Sequence, residues 1–357
     1  MFCSGAETRR LFARENRRNP FLLLTVSDLA SFALVLGLGF AGLILLHLRT
    51  GTSGQPISTL LIVAIATRLA DHKRIMFSQP DTISAHLCCM QQTTHQYTSV
   101  DGLNLFYRET GPADAPSVLL LHGSPSSSFQ YRYMLADLSD RWHLIAPDLP
   151  PFGFTQLDPN LQYCFTFDNL AKTLGRFIEK MRLDISAVYL HDYGAQVGFR
   201  LLTSRIIHPT AIIIQNSEAY HGIGWRAPMW GVEKRLSNSR EEARSRLRHT
   251  FLSEESIRKE FVEELPSEIA RRIDPAPIEL GWNKIKEPIR TEAMLDLLMD
   301  YGSNLEHYPK IQALLRTNAC PVLLLWGELD QYLTPEAALS RAFQLPTNSP
   351  RLFVIMY

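Results

Sequence analysis

The sequence predicts an α/β domain: a mostly parallel sheet flanked by helices, interrupted by an inserted helical cap and preceded by a membrane helix. Three observations predict it. From Thr93 onward, short apolar runs of the buried-strand type alternate with helical patterns. That alternation breaks between Glu218 and Asp300, where the chain is charged and helical in pattern. Near the N-terminus a long uncharged apolar run stands apart from both.

A chain of 357 residues suits one large α/β domain plus an extension. Its apolar share of 46% is enough for a sizeable core without staples. Formal net charge is zero, with no domain-wide basic bias, which argues against a nucleic-acid partner. The five cysteines, Cys3, Cys88, Cys89, Cys164 and Cys320, are odd in number and scattered. They suggest no disulfide framework, and the adjacent pair lacks the spacing of a zinc site. They read as buried or free thiols.

Residues 1–92 form an N-terminal extension. Arg9, Arg10, Arg14, Arg17 and Arg18 precede an apolar run, Leu29–Leu48, in which His47 is the one ionisable group. Those 20 residues, at a helical rise of about 1.5 Å each, match the thickness of a bilayer core. The run is longer than a signal-peptide core, so the expectation is an uncleaved, single-pass signal anchor. A buried soluble helix is the other reading. The arginines favour a cytoplasmic N-terminus. The shorter run Ile57–Thr67 is too brief to span alone, but as a second segment it would reverse the sidedness. Gly37, Gly39 and Gly42 match a dinucleotide-binding spacing. No strand precedes them and Ile62 stands where an acid is wanted, so they read as helix-packing glycines.

The sheet domain opens with a hairpin, Thr94–Ser99 and Leu103–Tyr107, turned by Asp101-Gly102. Strands follow at Val118–Leu121, His143–Ala146, Ala187–Leu190, Ala211–Ile214, Val322–Trp326 and Leu352–Met356. The first part of the core is residues 93–217 and the second, incomplete part is 301–357. The stretch 218–300, with Trp225, Trp230 and Trp282, is the helical cap. Leu352–Met356 is expected to end as an exposed edge strand, a feature that favours aggregation.

Three strand ends carry chemistry. The strand ending at Leu121 runs into His122-Gly123-Ser124-Pro125, a small-residue loop whose N–H groups can face a developing negative charge. The strand ending at Leu190 runs into His191-Asp192-Tyr193-Gly194-Ala195 and then an apolar helix. That is the form of a nucleophile elbow, with Asp192 at the centre in place of the usual serine. A plain helix N-cap is the alternative for Asp192. The strand Leu323–Trp326 is followed by Glu328 and Asp330, acids at the carboxyl edge of an open sheet.

From about Thr93 the chain resembles the haloalkane dehalogenase and epoxide hydrolase branch of the α/β-hydrolases. The resemblance rests on H-G-S-P at 122–125, P-D-L-P-P-F-G-F-T at 147–155, H-D-Y-G-A at 191–195, D-Y-G-S-N at 300–304 and W-G-E-L-D at 326–330. It implies an α/β-hydrolase fold with Asp192 as nucleophile and Asp330 as the acid that orients a histidine. It also implies an oxyanion hole made by the N–H groups of Ser124 and Tyr193, in a loop formed by His122, Gly123, Pro125 and Gly194. A carboxylate of this kind attacks an sp³ carbon to give a covalent alkyl ester, which a histidine-activated water then hydrolyses. Such chemistry takes a small apolar epoxide or alkyl halide and requires no metal or organic cofactor.

Departures from the branch sharpen the expectation. Dehalogenases pair a tryptophan after the nucleophile with another halide donor; here Tyr193 follows Asp192, and Ser124 is a poor halide ligand. This favours an epoxide hydrolase-like activity. Tyr220 in the cap is the candidate acid for the leaving oxygen, with a packing tyrosine as its alternative. Pro151 stands where the family loop has glycine. The branch places its histidine after the last strand, and the sequence here ends at Tyr357. The expectation is therefore an enzyme sequence truncated before that histidine. The competing reading is a membrane-tethered pseudo-hydrolase that binds an apolar ligand without turning it over. Of the histidines present, His221 is the one that could reach in from the cap.

Overall fold

The computed structural model describes residues 23–25, 92–160, 162–219, 238–263, 265–318, 320–327, 329–330, 332–334 and 351–356. Leu29–Leu48, Ile57–Thr67, Tyr220, His221, Trp225 and Trp230 lie outside them. Among the described residues no helix is long and apolar enough to cross a membrane.

A nine-stranded sheet runs in the order β1-β9-β8-β7-β6-β4-β5-β3-β2. The strands are β1 (Leu23–Thr25), β2 (Thr94–Val100), β3 (Leu103–Thr110), β4 (Ser117–Leu121), β5 (His143–Pro147), β6 (Ile185–His191), β7 (Ala211–Gln215), β8 (Val322–Gly327) and β9 (Arg351–Met356). The hairpin β2–β3 turns at Asp101-Gly102, whose φ angles of 53° and 79° suit the twist of antiparallel strands. Pairing from β5 through β9 is parallel.

The central strands are continuous apolar runs because helices cover both faces. Along β4 the side chains alternate: Val118 and Leu120 join the smaller core with Tyr131, Leu135 and Leu138, whereas Leu119 and Leu121 join the larger. Helix α1 (Arg132–Leu138) covers the first face. The second is covered by α2 (Phe167–Lys180) and α3 (Asp192–Thr203), through Phe167, Leu170, Leu174, Phe177, Val197, Phe199 and Leu201.

One expectation is corrected. β9 is not the sheet edge, because β1 pairs with it in parallel on the outer side, Leu23 opposite Phe353. The extension thus contributes a strand, which removes the exposed-edge argument for β9.

Between β7 and β8 lie α4 (Arg240–Phe251), α5 (Glu254–Val262), α6 (Ser267–Ala270), α7 (Pro275–Ile285), α8 (Pro288–Asp300) and α9 (Gly302–Thr317). Their starts are marked by polar caps and proline: Ser239 caps α4, a Ser253–Ser256 box caps α5, and Asp274 precedes Pro275 at the first turn of α7. Helix α7 sits on the loop after β4, where Gly281 packs against Pro125 and Asp274 pairs with Arg132 at 2.7 Å. Buried Arg290 of α8 donates to the carbonyls of Pro151 and Thr155 and to Glu287, fastening the insertion to the loop after β5.

Candidate active site

The chain order reverses at β4: β5 lies on one side of it and β6 on the other. A crevice opens at such a switch point, beyond the carboxyl ends of the strands. The loop after β4 and the turn after β6 meet there.

At that turn Asp192 has a φ of +47°, a left-handed conformation that is unfavourable for a residue with a side chain. The strain is sustained by its neighbours. A Cβ on Gly194 would lie 2.4 Å from the His122 carbonyl oxygen and 2.5 Å from that of Leu121. Glycine there lets helix α3 start hard against the loop after β4. The N-cap of helix α3 is His191, so Asp192 is the helix's first residue and not its cap. Instead its Oδ2 accepts from the Ser124 N–H at 2.7 Å, and the Tyr193 N–H also donates to the carboxylate. The two amides expected to form an oxyanion hole both reach Asp192.

The loop is rigid by construction. His122 is fully buried; its Nδ1 donates to the Gly123 carbonyl at 2.9 Å and its Nε2 accepts from the Leu149 N–H at 2.9 Å. Both ring nitrogens are thereby used structurally, and burial lowers the ring's pKa, which keeps it neutral. Gly123 is required for another reason: a Cβ would fall 2.7 Å from Asp192 Cβ and Oδ2. His191 Nδ1 accepts from Gln130 Nε2 at 3.0 Å, and burial pushes this imidazole down to about 4.

Burial pushes the Asp192 carboxyl up to about 6, against the two amide hydrogen bonds that lower it; the negative charge of Asp330 adds to the rise. Asp330 lies across the sheet edge after β8. Its Oδ1 accepts from the N–H groups of Tyr332 and Leu333, each at 2.8 Å, and its Oδ2 accepts from Asn216 Nδ2. The sequence-predicted residues Asp192, Ser124, Tyr193, Gly123, Gly194 and Asp330 are therefore brought to one edge. Pro125 faces α7, and Tyr220 lies outside the described residues.

A model of the alpha/beta hydrolase family matches residues 118–355. The chain belongs to this family. Its curated relatives include an uncharacterized hydrolase of Saccharomyces cerevisiae, 34% identical over 239 residues, covering 66% of this chain and 81% of the relative. A haloalkane dehalogenase of Bradyrhizobium diazoefficiens is 40% identical over 104 residues, 29% of this chain and 33% of its own length. Among solved structures, Cfl2 of Burkholderia cenocepacia aligns with a TM-score of 0.58 at 18% identity, over 73% of this chain and 87% of that one. That likeness shows the shared α/β-hydrolase fold.

The remaining parts of this candidate site include residues that sequence reasoning missed. Asp148, fully buried, accepts from the Ser128 and Phe154 N–H groups at 2.7 Å each and so joins the loops after β4 and β5. Asn216 bridges the two acid-bearing strands: its carbonyl oxygen accepts the Asp192 N–H at 3.3 Å and its side-chain Oδ1 accepts the Gly327 N–H at 3.2 Å. Its place at the end of β7, a polar residue on the ligand-binding edge, was the available signal. The D-Y-G-S-N segment supports from beneath. Asp300 accepts the Phe167 N–H, and Asn304 and Ser303 accept from buried Arg200 of α3. Tyr193 completes an aromatic box with Phe167, Tyr301 and Phe152, at ring separations of 5.1, 5.8 and 6.3 Å. Among the described residues no group of three or more His, Cys, Asp and Glu is placed to hold a metal ion.

Proposed function

We propose that this α/β-hydrolase opens small apolar epoxides by attack of Asp192 on carbon, forming a covalent alkyl ester. The observation that carries the reading is the Asp192 carboxylate, held at a left-handed turn with the Ser124 and Tyr193 amides donating to it. An amide-bound carboxylate oxygen is where the oxyanion forms when the ester carbonyl is later attacked. Removing one such donor typically lowers the rate by about 10²–10³-fold. Asp330, anchored by Asn216 and two backbone amides, has the place of the acid that holds the histidine of the second step. That histidine is supplied, in the pattern the chain resembles, after the last strand.

A second reading, dehalogenation of alkyl halides through the same ester, is favoured by the dehalogenase relative. Tyr193, where that chemistry wants a tryptophan, favours the epoxide.

Alkylation alone tests the nucleophile. Incubation with styrene oxide is expected to add one adduct by intact mass, mapped to Asp192 and absent from Asp192→Asn. An adduct on another residue, or none on folded protein, would refute the assignment and favour a binding protein without turnover. The membrane anchor proposed for Leu29–Leu48 is separately tested by carbonate washing, which should leave the full chain in the pellet.

A further inference from the structure

We propose that Gln130 is a positioning residue that keeps the Ser124 amide on the Asp192 carboxylate, by tying the loop after β4 to the end of β6. The inference rests on the reading of Asp192 as nucleophile and adds to it a side chain that acts through its neighbours.

Gln130 is carried on a short 3-10 helix, Ser128–Tyr131, with Ser127 as its N-cap. Fully buried Asp148 pins this helix by accepting the Ser128 N–H at 2.7 Å, and the Gln130 N–H donates to the Ser127 carbonyl at 3.0 Å. On the other side of Gln130, the Tyr131 hydroxyl donates to the Leu121 carbonyl at 2.8 Å. The Tyr131 ring also packs edge-on against Tyr189 of β6, with ring centres 5.5 Å apart. Gln130 thus stands between two neighbours that the sheet and the loop after β5 hold in place.

From there its side chain spans the two segments that hold the nucleophile. Oε1 accepts the Gly123 N–H at 3.4 Å, and Nε2 donates to His191 Nδ1 at 3.0 Å. Gly123 immediately precedes Ser124, whose N–H donates to Asp192 Oδ2, and His191 immediately precedes Asp192. One planar amide therefore sets the separation between the residue before the donor and the residue before the nucleophile. The two demands on it are opposite in kind. The Gly123 N–H needs an acceptor, whereas Nδ1 of the neutral His191 ring needs a donor. A carboxamide meets both at once, and an apolar side chain meets neither.

The spacing has little slack. A Cβ on Gly123 would already lie 2.7 Å from Asp192 Cβ and Oδ2, so a shift of this loop is passed directly to the carboxylate. Without Gln130 the Gly123 N–H loses its acceptor, and the Ser124 N–H behind it relaxes away from Asp192. A carboxylate that loses an amide donor keeps its proton to higher pH. It also loses its aim.

The test follows 1-iodohexane labelling of Asp192 in the whole chain across pH, by intact mass and peptide mapping. Gln130→Leu nearly keeps the volume and removes both polar ends. It is expected to lower the plateau rate by about 10-fold to 10²-fold and to move the midpoint to higher pH by about one pH unit. The ionisable groups that act on Asp192 or feel its charge are Asp330, Tyr131, Tyr193 and Glu260, and this variant leaves all four in place. The moved midpoint therefore reports the amide bonds to the carboxylate. Gln130→Glu keeps an acceptor for Gly123 and accepts from His191 once that ring carries its hydrogen on Nδ1. It is expected to recover most of the plateau rate that Gln130→Leu loses, while its own charge keeps the midpoint high. A packing role predicts the reverse order, with Gln130→Leu near normal and Gln130→Glu slowed. That order, or an unmoved midpoint in Gln130→Leu, would overturn the proposal and leave the Asp192 reading intact. If the unmutated protein forms no adduct on Asp192, both readings fall together.

Discussion

Asn216 Nδ2 donates to Asp330 Oδ2 while Asn216 Oδ1 accepts the Gly327 N–H, so one amide ties the acid to its strand. The backbone carbonyl of the same residue receives the Asp192 N–H. A change at Asn216 therefore reaches both carboxylates.

Replacing Asn216 by alanine removes a donor and an acceptor from a buried position and leaves their partners to be solvated. Unsatisfied buried groups cost about 1–3 kcal/mol each, so Asn216→Ala is expected to unfold roughly 2–10 °C lower. Asn216→Asp restores the acceptor but faces Asp330 with a like charge. It should be less stable at pH 8 than at pH 4, relative to the unmutated protein. Thermal unfolding of both variants at the two pH values checks this; an unchanged melting temperature for Asn216→Ala would show that the bridge contributes nothing.

Gly123 separates geometry from stability. An alanine methyl there falls 2.7 Å from the Asp192 carboxylate, whose Oδ2 is held by the adjacent Ser124 amide. The carboxylate side chain must swing away, and a displacement of about 1 Å lowers reaction rates by about 10²-fold. Gly123→Ala is expected to label with 1-iodohexane about 10²-fold more slowly and to melt within a few degrees of the unmutated protein. Labelling at the normal rate would mean that the Ser124 contact is dispensable.

The strands were legible because a parallel sheet buried on both faces needs unbroken apolar runs, and β4 to β8 are such runs. The sharp turn after β6 was legible because the small residues Gly194 and Ala195 follow closely on the strand end and let helix α3 start against the loop after β4. What the sequence hid depends on packing. Helix α5 and the residue that follows it carry four acids, and Ile257 with Phe261 marks the inward face only once the helix is known to dock. Asp148 acquires its role from Ser128 and Phe154, which meet it only in the folded loops. The pairing of Leu23–Thr25 with β9 involves three residues far from their partner in sequence, too short a run to announce itself.

Asp192 should weaken the fold when ionised. Its pKa rises from 3.8 to about 6 on folding because burial disfavours the charge. For an acid whose folded pKa is raised, the favourable contribution is fully present below pH 3.8 and is lost as pH rises through about 6. The full shift corresponds to roughly 3 kcal/mol, and partial exposure of the residue reduces this to about 1–2 kcal/mol. Asp192→Asn is therefore expected to melt about 2–6 °C higher than the unmutated protein at pH 8. Near pH 4 the difference should vanish, since both side chains are then neutral. A stabilisation of equal size at both pH values would assign it to something other than the charge.

The same ionisation should govern reactivity. Only the carboxylate of Asp192 attacks carbon, and 1-iodohexane needs no proton for its leaving group, so its labelling rate follows the ionised fraction alone. With the carboxyl pushed up to about 6, the rate is expected to be half-maximal near pH 6 and level above about pH 7. An ordinary carboxylate would already be fully reactive at pH 5. The midpoint should also respond to its neighbours. Asp330 raises the Asp192 pKa, so Asp330→Asn is expected to move the midpoint to lower pH while leaving the plateau rate nearly unchanged. A pH series of adduct formation measured by mass spectrometry on the two proteins decides the matter. A flat profile from pH 5 to 8 would show that Asp192 is not desolvated, and a midpoint left in place by Asp330→Asn would show that the Asp330 charge does not reach it.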